Sequence, residues 1–142
     1  SVNNSLVCWG LEAYGTEEQK MKYLVELASG QKIGAFLLSE PEAGSDATSQ
    51  RTTAIDMGDH YVLNGTKNWI TNGSSASVYL VMAQTDPAKG SKGINCLIVE
   101  KNWPGVTWAK RAGSAPAGRS RTGQSPPRSA QSWPVAPCLA AC

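Results

Sequence analysis

The sequence predicts an α+β fold on three observations. Residues 16–30 carry a capped segment with helical period. From Ile33 onward the pattern changes to short apolar runs separated by turn residues. No strand–helix–strand alternation appears, so the expected sheet is an antiparallel run of hairpins and not a βαβ unit.

The elements follow in order. "SVNNSLVCWGLEAYG" has the look of a helix end, broken at Gly15. In "TEEQKMKYLVELASG", Thr16 caps a second helix and Gln19 reaches back to it, a capping box. Glu17 and Glu18 favour the positive end of the helix dipole. Met21, Leu24, Val25 and Ala28 fall at i, i+3, i+4 and i+7 and are the expected buried face, and Gly30 is the stop. "IGAFLL" is a short strand. "RTTAIDMGDHYVLNGTKNWITNG" predicts three strands separated by "MGD" and "NG". "SVYLVMAQTD" and "GINCLIVEK" give two more, joined by the turn-rich "DPAKGSKG".

Composition narrows the function classes. The net charge of +2 conceals an asymmetry: residues 1–100 hold all 11 acidic and 7 basic residues, −4, whereas 101–142 hold 6 basic residues and no acid, +6. Within it, the stretch 109–142 contains five of the eight prolines and has no periodicity, so it is expected to be disordered. Without aromatic interleaving or a binding fold, it predicts no nucleic-acid partner. Cys8, Cys96, Cys138 and Cys142 match no zinc spacing and the single His60 joins no cluster, so no metal is expected. No apolar run reaches the length of a membrane span. A start without basic leader or cleavage site predicts no signal peptide, and without an initiator Met it reads as the interior of a longer protein.

Two stretches carry the chemistry. "LLSEPEAGSDA" places a proline, a glycine and hydroxyls directly after a strand: Pro41 stiffens the exit, and Gly44 allows a turn that a side chain would block. Amides near Gly44, Ser45 and Asp46, with the Ser39 and Ser45 hydroxyls, suit a planar heteroaromatic ring or a phosphate; an Asx-stabilised turn needs the same residues. "NGTKNWITNG" sets Trp69, Ile70 and Thr71 at a strand end between two Asn-Gly turns, either against a ligand ring or as core.

Together, "GAFLLSEPEAGSDATS" and "YVLNGTKNWITNG" resemble the acyl-CoA dehydrogenase family, nearest its short-chain, butyryl-type members, over about Val7 to Trp108. The resemblance implies the end of an N-terminal helical domain at 1–31 and an antiparallel, β-barrel-like, flavin-binding middle domain at 32–108. It also implies that the family's C-terminal helical domain is absent. Phe36, Leu38, Ser39, Gly44, Ser45, Trp69, Ile70 and Thr71 would then line non-covalently bound FAD. Ser45 would also touch the CoA portion of the substrate, and the Thr71 hydroxyl would sit near flavin N5. The implied reaction is α,β-dehydrogenation of an acyl-CoA, with reoxidation by electron-transferring flavoprotein in a homotetrameric parent. The implied location is the bacterial cytoplasm or the mitochondrial matrix.

The family's catalytic glutamate lies in the missing domain, so no catalytic residue is assigned, and Glu40 and Glu42 map to no such role. Residues 109–142 depart from the family pattern and read as frameshifted sequence or a natural linker. The competing reading is a non-catalytic domain that binds a nucleotide or partner on the same scaffold.

Overall fold

The computed structural model describes residues 2–107 and the backbone of 131–134. The tail expected at 109–142, with Cys138 and Cys142, lies outside the described residues except for one strand, Gln131–Pro134.

Two helices open the chain. The first runs through the wide-turned segment Asn3–Cys8 into α1, Trp9–Tyr14. The second begins at α2, Glu17–Gln19, continues through Lys20–Leu24 and ends as α3, Val25–Ala28. Its start is the expected capping box: Gln19 N–H donates to Thr16 Oγ1 at 3.3 Å, and Thr16 N–H donates to Gln19 Oε1 at 3.0 Å. Gly30, at φ 80°, ends it.

The buried face of this second helix differs from the expected one. Tyr23 and Leu27 are buried and Leu24 partly so, whereas Met21 is 74% and Val25 58% exposed. The reason is an inward hydrogen bond. The Tyr23 hydroxyl donates to Glu100 at 2.8 Å, and Lys22 pairs with the same carboxylate at 2.8 Å, which turns the 23/27 stripe toward the sheet.

The strands are β1 (Gly34–Leu37), β2 (Thr53–Asp56), β3 (His60–Asn64), β4 (Val78–Gln84), β5 (Ile94–Glu100) and β6 (Gln131–Pro134). β4 is the spine. β5 runs antiparallel along one edge, from Val78↔Glu100 to Gln84↔Ile94. Along the other edge lies β1, parallel, from Gly34↔Val78 to Leu37↔Val81. β2 continues that edge in parallel at Thr53↔Gln84. The chain therefore leaves the β4 edge after Leu37, loops out through residues 38–52, and returns to the same edge.

β2 and β3 form the expected hairpin, turned by Gly58 at φ 95°, and β3 pairs antiparallel with β6. The sheet is thus mixed and open, not an antiparallel barrel-like run. β1 reaches β4 only after the intervening loop and hairpin, and such a crossover delivers a parallel neighbour. The third strand expected around Trp69 is also missing, because Trp69 (φ 55°) and Asn72 (φ 64°) leave the extended region. Asn64-Gly65 closes β3 without a hairpin.

Alternation along β4 divides the core. Val78 and Leu80 join Ile98, Val7, Leu11, Tyr23 and Leu27 on the helix-facing side. Tyr79 and Val81 join Ala35, Leu37, Ala76 and Val99 on the other. Asn3 ties the layers together: its Nδ2 donates to the Leu27 carbonyl at 3.2 Å and its Oδ1 accepts from Gly34 N–H at 2.8 Å.

Gly65 sits hard against the return of the loop, where a β-carbon would lie 2.7 Å from Thr52 Cα. Gly65→Ala in the intact protein is therefore expected to destabilise it by about 1–3 kcal/mol. Gly44 has nothing within 4 Å of such an atom. Gly44→Ala is expected to stay within about 0.5 kcal/mol of wild type. Urea midpoints check both, and equal midpoints for the two variants would contradict the close approach at Gly65.

Candidate functional site

The loop 38–52 is held closed at its neck by one buried ion pair. Lys67, just past β3, points back under the loop, and its Nζ donates to Glu40 Oε1 at 2.8 Å, to the Leu38 carbonyl at 3.0 Å and to Gln50 Oε1 at 3.0 Å. The side chains of Lys67 and Glu40 are 6% and 2% exposed. Glu40 in turn accepts from the Arg51 N–H at 2.6 Å and the Thr52 N–H at 3.1 Å. Leu38 and Glu40 leave the sheet edge and Gln50 to Thr52 return to it, so one ammonium and one carboxylate close both ends.

Both ends of the pair feel their burial. It pushes the Glu40 carboxyl up, but the bonds from Lys67, Thr52 and Arg51 outweigh that, and the group lies below its ordinary range. Burial also pulls the Lys67 ammonium below its ordinary range, against the opposing effect of the bond it donates to Glu40. The Arg51 and Thr52 amides and the Lys67 ammonium surround the carboxylate, so the ionised form of Glu40 is the one the fold holds.

A second segment joins the first at one backbone bond, Asn68 N–H to the Ser39 carbonyl at 2.9 Å. Beyond it the chain turns sharply. Ile70 packs inward on the cluster that contains Leu37, while Trp69 and Thr71 on either side face out, Trp69 at 91% exposure. The turn is anchored by Tyr79, whose hydroxyl donates to the Gly73 and Ala76 carbonyls at 3.1 and 2.8 Å. Burial pushes that phenol up to about 12, so it stays a neutral donor. Among the described residues, the buried Asn68 Oδ1 has no hydrogen-bond partner.

The sequence-expected residues divide accordingly. Leu38, Ser39, Trp69, Ile70 and Thr71 lie on the two joined segments, with Leu38 and Ser39 half-buried. Phe36 packs on the helix-facing cluster, across the sheet from Ile70. Gly44 and Ser45 are exposed on the loop, and Gly44 is not required by any positive φ or close contact. Its expected role in permitting a blocked turn is corrected accordingly.

Asp46 is occupied with its own turn. It accepts from Thr48 N–H at 3.1 Å, from the Thr48 hydroxyl at 2.6 Å and from the Ser49 hydroxyl. Sequence reasoning passed over Lys67, Gln50 and Thr52; the available signal was a lone lysine inside an otherwise uncharged "NGTKNWITNG". Among the described residues no cluster of three or more His, Cys, Asp or Glu could hold a metal, and no helix is long and apolar enough to cross a membrane.

Removing one partner of a buried pair strands the other charge. Lys67→Met is expected to cost about 3–5 kcal/mol in denaturant titrations at neutral pH. Glu40 has a folded-state pKa below its ordinary 4.5, so its contribution is complete above about that pH and fades as pH falls below it. Glu40→Gln should therefore flatten the acid limb of stability against pH; an unchanged limb would contradict the assignment.

Both segments lie within a stretch of the chain that matches a known protein family. The description "Acyl-CoA dehydrogenase, middle domain" matches residues 35–126, and "Acyl-CoA dehydrogenase, N-terminal domain" matches 1–31. The middle-domain match continues past Trp108, where the strand pattern ends. The chain is 50% identical over 110 residues to a short-chain specific acyl-CoA dehydrogenase of Clostridium acetobutylicum, covering 78% of this chain and 29% of that one. It is 49% identical over 111 residues to the human mitochondrial short-chain specific enzyme, covering 78% and 27%. The structure of butyryl-CoA dehydrogenase from Megasphaera elsdenii superposes with TM-score 0.69 at 49% identity, over 71% of this chain and 27% of that one. A Mycobacterium smegmatis glutaryl-CoA dehydrogenase described in complex with FADH2 gives TM-score 0.69 at 45% identity, over 75% and 26%. The chain thus spans 26–29% of the length of these four relatives, and it belongs to the acyl-CoA dehydrogenase family.

Proposed function

We propose that this segment forms one wall of the flavin site of an FAD-dependent acyl-CoA dehydrogenase acting on short acyl-CoA thioesters. The observation that carries the proposal is Trp69. An indole 91% exposed, on a non-glycine residue at φ 55°, costs the chain both hydration and backbone strain. A fixed, exposed aromatic face beside the half-buried Ser39 and the exposed Thr71 suits the plane and polar rim of an isoalloxazine ring. The relative described with FADH2 supports the same cofactor.

When bound, FAD supplies the hydride acceptor for α,β-dehydrogenation. The chain's own residues do three things. Ile70 anchors the turn in the core and thereby holds Trp69 and Thr71 outward. Thr71 offers a hydroxyl to a ring heteroatom, and Ser39 offers hydroxyl and backbone groups on the neighbouring segment. Ser45, on the exposed loop, is the proposed contact to the CoA portion.

Neither Glu40 nor Glu42 is the base in this proposal. Glu40 is saturated by the Arg51, Thr52 and Lys67 donors, and Glu42 is exposed on the loop. The base belongs to sequence outside this segment, as do reoxidation by electron-transferring flavoprotein and a homotetrameric assembly. The proposed division is a helical-domain end at 1–31, a middle domain at 32–108 and a basic tail at 109–142. The bacterial cytoplasm or mitochondrial matrix is the proposed location; mitochondrial relatives occur among the matches.

The full-length protein should purify yellow and reduce a dye acceptor with butyryl-CoA, whereas the 142-residue chain alone should not turn over. Trp69→Ala in the full-length protein should weaken flavin retention at least about tenfold, since base–aromatic stacking elsewhere is worth about 1–3 kcal/mol. A colourless, well-folded full-length protein would overturn the proposal.

A further inference from the structure

We propose that Lys67 and Glu40 are positioning residues of the flavin wall: the pair sets the relative placement of the Leu38–Ser39 and Asn68–Thr71 segments. This inference rests on the flavin reading above. Its basis is that Lys67 is bonded to both segments at once. It is covalently next to Asn68, whose N–H donates to the Ser39 carbonyl at 2.9 Å, and its Nζ donates to the Leu38 carbonyl at 3.0 Å. Two adjacent residues of one segment thus hold two adjacent carbonyls of the other.

Glu40 fixes the ammonium in that position. With its side chain 2% exposed, it is bonded at 2.8 Å to Nζ and tied by Arg51 and Thr52 N–H to the returning end of the loop. A purely apolar neck of similar volume would pack as well or better, since a buried ion pair is weak evidence for stability. What an apolar neck cannot supply is a donor at a fixed distance from the Leu38 carbonyl. The charge serves placement of the wall, and both side chains are buried behind it.

The single variant Lys67→Met conflates placement with an unpaired buried charge. The double variant Glu40→Gln/Lys67→Met separates them. It removes both charges, yet the replacing amide still accepts a bond from the loop backbone. In the full-length protein, the double variant is expected to melt close to wild type while binding FAD at least about tenfold more weakly, with loss of fine structure in the flavin absorbance. Lys67→Arg, which keeps a charged donor, should recover part of that loss.

Recovery of wild-type flavin affinity and spectrum in the double variant would overturn the inference. Failure of the double variant to fold would overturn it too, because the pair would then serve the fold and not the wall. If wild type itself binds no flavin, the functional reading fails first, an outcome visible before any variant is made.

Discussion

The pairing of Lys67 with Glu40 under the neck of the 38–52 loop is the constraint on which the remainder of the site depends. β1 and β2 occupy one edge of β4, and the loop between them is an excursion that must begin and end at nearly the same place. Closing such a loop costs chain entropy that a polar, small-residue sequence cannot recover by burial. Instead, one carboxylate collects N–H groups from the returning strand and one ammonium collects oxygens from both ends. The loop tip is thereby left open to solvent while its base is closed by a buried pair, the arrangement that binding loops on a fixed scaffold require.

The same clamp links two stretches far apart in sequence. Lys67 sits between β3 and the Trp69 turn, so the end of one hairpin is fastened to the start of the loop. Ile70 and Tyr79 then fix the turn from the opposite side, one by packing and one by two hydrogen bonds. Trp69 emerges from a backbone held by that packing and those bonds. Exposure and positive φ at that residue are consequences of a well-determined surrounding, not of a loose one.

Much of this was legible in the sequence, and the omissions have physical causes. The capping box at Thr16, the stop at Gly30 and the hairpin at Gly58 are local devices that one stretch of chain specifies alone. The parallel placement of β1 beside β4 is not local, since nothing within "GAFL" says which later strand will accept it. The second helix misled because Tyr23, which lies outside the expected face, turns inward for Glu100, a partner 77 residues away. At the site, residue types such as Ser39, Trp69 and Thr71 advertise binding chemistry. Glu40 mapped to no catalytic role, and its structural role stayed hidden because its burial and its donors are invisible until the fold assembles them.

The central claim is that the neck of the loop and the start of the Trp69 turn form one rigid unit. Amide hydrogen exchange of the full-length protein at Arg51, Thr52 and Asn68 tests it most directly, because each of these N–H groups donates across the clamp or the segment junction. The account predicts slow exchange at all three, with a common opening free energy, beside fast exchange at the loop tip around Gly44 and Ser45. Fast and independent exchange at Arg51, Thr52 and Asn68, with rates like those of the tip, would contradict it.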